Sequence, residues 1–197
     1  MDRRVRRTRR QLRDALLALV MESGYENVTI QQITDRADLS RATFYLHYKE
    51  KDELLADSLE SLFDELVASL DASLIDLDWQ KPGHQSSSVV FEHVSLYKDL
   101  YTSLFLGDRS VTYVSNRAIN YIADVIEENI KALLPQDMPS LTPTHTVAHF
   151  ASGAMFALML QWLDNNMQET PETMAVIYQR MVMPAVIAAL GLHEAVY

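Results

Sequence analysis

The chain has 197 residues, of which 48% are hydrophobic, enough for a sizeable core in one large or two small domains. It has no cysteine, which excludes disulfides and thiolate metal sites and points to a reducing cytoplasm. The net charge of −10 argues at first against nucleic acid, but the charge is unevenly placed. Residues 1–52 hold 11 Lys and Arg against 8 Asp and Glu, whereas residues 53–197 hold 6 against 19. A basic head on an acidic body suits a protein in which one part meets phosphates and the rest avoids them. No apolar run of about 20 residues stands out, so no membrane span and no membrane partner are expected.

Turn-forming residues punctuate the chain at Gly24 to Val28, Asp38 to Ser40, Trp79 to Ser88, Gly107 to Ser110, Pro135 to Pro143 and Glu169 to Pro171. Nearly everything between them has helical periodicity, and the expected fold class is all-α. A first helix is predicted from Thr8, where Gln11 completes a capping box. Leu12, Ala15, Leu16, Leu19 and Val20 give it one apolar face, and Gly24 closes it. Thr29 and Gln32 repeat the capping device for a second helix that buries Ile30, Ile33 and Ala37. Ser40 caps a short third helix carrying Arg41 to Tyr48, and the Asp38-Leu39 connector forces the two to cross steeply.

A long amphipathic fourth helix is predicted from Asp52 to about Leu77, with Leu54, Leu55, Leu59, Leu62, Phe63, Leu66, Val67 and Leu70 as its stripe. Further helices are expected over about 87–106, 111–134, 143–166 and 171–190. Pro143 and Pro171 are placed in first turns behind Thr142 and Thr170, and Pro184 is expected to kink or interrupt the last helix.

Three helices in about fifty residues, with a tight turn between the second and third, fit a helix-turn-helix reader of DNA. Phe44 and Tyr48, four apart, face the core, leaving Arg41, Ala42, Thr43, Tyr45 and His47 to point away. Arg41, Ala42 and Thr43 suit major-groove base edges, while Tyr45 and His47 suit phosphates. Lys51 stands at the start of the fourth helix, where free amides also attract phosphate. The arginine run from Arg3 to Arg10, including Arg6 and Arg7, reads either as a disordered phosphate-binding tail or as a minor-groove arm.

The run from Thr29 through Ser40, Thr43, Tyr45, His47 and Lys51 to Leu55 resembles the signature of the TetR family of transcriptional regulators. By that resemblance Thr29, Arg41, Thr43, Tyr45, His47 and Lys51 are DNA-contacting positions and the third helix is the recognition helix. Two departures stand out: the family's Gly-Val turn is Asp38-Leu39 here, and its usual Phe is Tyr48, whose hydroxyl needs a partner or an exposed position. The resemblance divides the chain into a DNA-binding domain at 1–55 and a helical ligand-binding and dimerisation domain at 56–197. It implies a cytoplasmic homodimer paired through the last two helices, bound to a palindromic operator in double-stranded DNA.

In the acidic body, Phe91, Tyr97, Tyr101, Phe105, Tyr113 and Tyr121 form an aromatic series that is either solid core or, with Met155, Met159 and Trp162, the lining for a hydrophobic or aromatic effector. His145 and His149 lie one turn apart without a carboxylate at ligand spacing, so no metal site and no cofactor are expected. No glycine-rich phosphate loop or nucleophile elbow is present, and the chain is not expected to be an enzyme. Two alternatives stay open beside a ligand-released repressor. One is a DNA-binding regulator that answers to a protein partner or activates; the other is a helical ligand-binding or enzymatic bundle.

Overall fold

The computed structural model describes residues 3–69, 85–106, 112–134 and 140–192. Among these the regular elements are helices only, so the expected all-α class holds. They are α1 (Arg3–Ser23), α2 (Ile30–Arg36), α3 (Arg41–Tyr45), α4 (Lys51–Ser69), α5 (Gln85–Leu96), α6 (Lys98–Phe105), α7 (Thr112–Leu133), α8 (Thr144–Asp164) and α9 (Pro171–Leu190). A 3-10 turn, Tyr25–Asn27, follows α1. The described residues pack as two compact units, one within Met1–Glu65 and Lys98–Ser115, the other within Leu66–Tyr97 and Asn116–Tyr197.

In the first unit, the face expected of α1 is the face that is buried: Leu12, Ala15, Leu16, Leu19 and Val20. The helix starts at Arg3, not at Thr8. Arginine is a good helix former and nothing in the run breaks the backbone, so Thr8 lies within the helix and caps nothing. Helix α2 begins as expected: the Thr29 side chain accepts from the Gln32 amide, and the Gln32 side chain accepts from the Thr29 amide at 2.8 Å. It ends with Asp38 at φ 54°, with the Leu39 amide donating to the Thr34 carbonyl and the Asp38 amide to the Asp35 carbonyl. That is the glycine-type helix stop, made here by an aspartate. The stripe of α4 buries Leu54, Leu55, Leu59, Leu62, Phe63 and Leu66, with Val67 partly exposed; Leu70 to Leu77 fall outside the described residues. Helix α6 packs on α1 in the same unit.

The second unit contains α5, α8, α9 and α7 from Asn116 onward, with α9 packed on both α5 and α8. Its centre is the edge-on pair Phe91 and Trp162, both fully enclosed, at a ring separation of 5.5 Å. The Trp162 indole N–H donates to the Glu169 carbonyl, and the Tyr178 hydroxyl donates to the Ala151 carbonyl. Two expectations for the body change. The stretch 87–106 is two helices, α5 and α6, separated at Tyr97 and belonging to different units. Pro143 occupies the N-cap of α8 instead of its first turn, and Thr142 instead donates its amide to the Ala189 carbonyl. Helix α9 continues through Pro184, since packing on two helices offsets the one hydrogen bond that proline removes. Thr170 does cap α9, with Pro171 in the first turn.

Because Asp38 holds a left-handed conformation that glycine adopts freely, Asp38→Gly is expected to stabilise the first unit by about 0.5–1 kcal/mol. Thermal unfolding checks it; an unchanged or lowered midpoint would mean that the carboxylate contributes more than the backbone strain removes.

Candidate nucleic-acid interface

Helix α3 has five residues, too few to persist alone, and its neighbours hold it. Ser40 caps it by accepting from the Thr43 amide at 3.0 Å. Phe44 is completely buried under it, and Tyr48, one turn later, is buried beside Phe44 at a ring separation of 5.8 Å. That anchorage turns the opposite face outward. Arg41 and Ala42 are exposed, Tyr45 is 51% exposed and Leu46 81% exposed, while Thr43 and His47 are half-covered. Arg41 reaches back along the helix so that its guanidinium donates to the Tyr45 hydroxyl at 3.4 Å. The Thr43 hydroxyl lies 2.8 Å from that of Ser40.

The departure at Tyr48 resolves in a polar cluster. The Tyr48 hydroxyl donates to Asp57 Oδ2 at 2.5 Å and accepts from Arg9 Nε at 3.1 Å. Arg9 Nη2 also donates to Asp57 Oδ1 at 2.6 Å, and Arg13 lies on Oδ2 at 3.5 Å. Burial, with the hydrogen bond to Asp57, pushes the Tyr48 phenol up to about 12, so it is a neutral donor at any physiological pH.

Lys51 is placed differently from its expected role. Its ammonium donates to the carbonyls of Tyr25 and Val28, each at 2.8 Å, and sits 4.1 Å above the Tyr25 ring. Burial pulls its pKa below the ordinary lysine value. The Tyr25 hydroxyl donates to Asp52, and burial with that bond raises its pKa. The α4 start is also acidic, with Asp52 and Glu53 in the first turn and Glu53 accepting from the Lys49 amide at 2.7 Å. So Lys51 joins the start of α4 to the turn after α1, with one ammonium hydrogen beyond those two bonds. Thr29 is exposed but engaged in its capping box, and Arg6 and Arg7 are exposed on the first turns of α1.

The aromatic series is divided between the two units. Tyr101 and Phe105 are buried and stacked on each other in the first unit, at 5.9 Å. Phe91, Tyr97, Tyr121, Met155, Met159 and Trp162 belong to the second. Tyr97 lies against His93 at 4.7 Å, Tyr121 is half-buried, and Phe91, Met155, Met159 and Trp162 are buried. Nothing in a helical period could have separated α6 from α5. Leu46, exposed at the end of α3, was not singled out from the sequence, where an apolar residue reads as core.

A short, capped helix that follows a tight turn and shows its outer face to solvent fits a helix-turn-helix DNA-binding protein. Residues 12–57 match the family described as bacterial regulatory proteins, tetR family, and residues 84–184 match a transcriptional regulator C-terminal region. The chain belongs to the TetR family of bacterial regulatory proteins. It is similar to the HTH-type transcriptional regulator YxbF of Bacillus subtilis, 30% identical over 84% of this chain, although it spans only 42% of that protein. It is 23% identical to the HTH-type transcriptional repressor KstR of Mycobacterium tuberculosis, over 84% of this chain and 75% of KstR. Its fold is also that of RolR, solved in complex with resorcinol, at a TM-score of 0.59 and 18% identity, covering 97% of this chain and 95% of RolR.

Lys51→Met is expected to destabilise the first unit by about 1.5–3 kcal/mol, because two carbonyls lose a charged donor. Chemical denaturation measures this; a change within about 0.5 kcal/mol would show that water replaces the ammonium there.

Proposed function

We propose that this regulator is a homodimeric repressor that binds a palindromic operator and leaves it when the second unit takes up a small apolar or aromatic molecule. The observation that carries the reading is the outward face of α3, where Arg41, Ala42, Tyr45 and Leu46 lie exposed above a fully buried Phe44. In this reading Arg41, Ala42 and Thr43 meet base edges, and Tyr45 and His47 hold phosphates. Thr29, Arg6 and Arg7 add phosphate contacts from α2 and α1, and Lys51 contributes its charge from a fixed position. The functional division falls at 1–55 for DNA binding and 56–197 for ligand binding and pairing.

Pairing through α8 and α9 is supported by their composition. By length and composition the two helices are long and apolar enough to cross a membrane, against the expectation of no such run. In a family of bacterial regulatory proteins, such faces call for a protein partner. Phe150 on α8 is 53% exposed and Met181 on α9 65% exposed. Two copies meeting on these faces form a four-helix contact and set two α3 helices on one duplex.

An effector is supported by the methionines and aromatics of the second unit, Phe91, Tyr97, Tyr121, Met155, Met159 and Trp162. RolR, with the same fold, holds an aromatic diol. Tyr101 and Phe105 belong to the other unit. Differential affinity of the effector for one spacing of the two heads would release the operator, with α4 as the lever. A second reading, control by a protein partner or activation of transcription, is favoured by the complete enclosure of Phe91 and Trp162 against each other.

Selection of bound duplexes from a random pool, then affinity against salt, tests the operator. A palindrome should emerge, with affinity falling steeply as salt rises. Tyr45→Ala should weaken all sequences alike, whereas Arg41→Ala should lose about 1–3 kcal/mol of discrimination at one base position. No enrichment, or indifference to Tyr45→Ala, would defeat the placement of α3. Met181→Glu is expected to shift the protein to monomer in sedimentation and to abolish tight operator binding; a dimer that survives both Met181→Glu and Phe150→Asp would place the pairing surface elsewhere.

A further inference from the structure

The cluster around Asp57 does more than fill the interior of the head. Asp57 lies in the second turn of α4, Arg9 and Arg13 on α1, and Tyr48 one turn beyond Phe44 at the end of the recognition segment. Three side chains close a ring: Arg9 donates to Tyr48, Tyr48 donates to Asp57, and Arg9 donates again to Asp57. The Arg9 guanidinium also lies 5.4 Å from the centre of the Tyr48 ring. Asp57 is 16% exposed at its side chain, so these bonds work in surroundings where solvent competes weakly.

Bonds of this kind set an angle that apolar contact leaves free. A ring such as that of Phe44 can roll within its pocket, since dispersion has little direction. The Tyr48 hydroxyl is held at one point by a short hydrogen bond, and the Tyr48 amide donates to the Phe44 carbonyl at 3.0 Å. The turn from Phe44 to Tyr48 is thereby fixed about its own axis, and it carries Tyr45, Leu46 and His47 between its ends. At the other end the Ser40 cap fixes where α3 begins. We infer that Tyr48, Asp57 and Arg9 are positioning residues for operator discrimination: the ring they form sets the rotation of α3, and so decides which base edges Arg41, Ala42 and Thr43 meet. Asp57 has a second effect in the same ring. It neutralises Arg9 and Arg13, two cations on a basic helix, and keeps them from serving as indiscriminate phosphate contacts.

The inference rests on α3 as the recognition helix. The test uses the full-length protein, the duplex it selects from a random pool, and a random-sequence duplex of equal length, all well below each variant's melting temperature. Tyr48→Phe keeps the ring and removes only the hydroxyl, so it should fold. It should lower the ratio of selected to random affinity by about tenfold while leaving random affinity unchanged. Asp57→Asn should lower that ratio too, but with random affinity raised and a steeper salt dependence, because Arg9 and Arg13 are released. Arg13→Gln, at the long 3.5 Å edge of the cluster, should change the ratio least. If Tyr48→Phe keeps the ratio within twofold, or if both affinities fall together with the melting temperature, the ring is a stabiliser only and the positioning role is overturned. If the unmodified protein selects no sequence at all, the reading of α3 fails first and the inference goes with it.

Discussion

Helix α3 is five residues long and cannot hold itself in water, so the function of the head depends on how those residues are anchored. Phe44 supplies the free energy: fully enclosed, it removes about 1.5–3 kcal/mol worth of apolar surface from water. The Ser40 cap fixes the entry and the Tyr48 hydroxyl, on Asp57 and Arg9, fixes the exit. Each device comes from a different element, α1, the α2–α3 turn and α4, which is why a short reader needs a three-helix frame and the start of a fourth.

The same frame explains where charge has gone. A basic head is expected to offer all its cations to phosphate, yet three of them are engaged internally. Arg9 and Arg13 serve Asp57, and Lys51 serves two backbone carbonyls at the turn after α1. The carboxylates of Asp52 and Asp57 are then structural counterparts of the basic residues, not a diffuse acidic surface. Exposed Arg6, Arg7 and Arg41 remain on the outside, where long-range attraction to DNA is effective.

The second unit divides its apolar residues between two tasks. Phe91, Trp162, Met155 and Met159 are interior, whereas Phe150 and Met181 face out from helices that have few charges to solvate them. Exposed apolar side chains on a long apolar helix are costly in a monomer and are relieved by a partner. Pro184 fits that picture: its missing donor is tolerated because packing on α5 and α8 carries α9 through it.

Sequence alone determined what rests on local chemistry and period. The capping box at Thr29, the cap at Ser40, the left-handed stop at Asp38, the buried faces of α1 and α4 and the helix at 171–190 depend on residues within a turn or two of each other. So does the family signature. Tertiary structure decided what depends on residues far apart in the chain. It split 87–106 into two helices of different units, with Tyr101 and Phe105 stacked in the first. It turned Lys51 inward onto carbonyls more than twenty residues away. It gave the Tyr48 hydroxyl its partners on α1 and α4, which no helical period could announce, because a hydrogen bond across 39 residues of chain leaves no local mark.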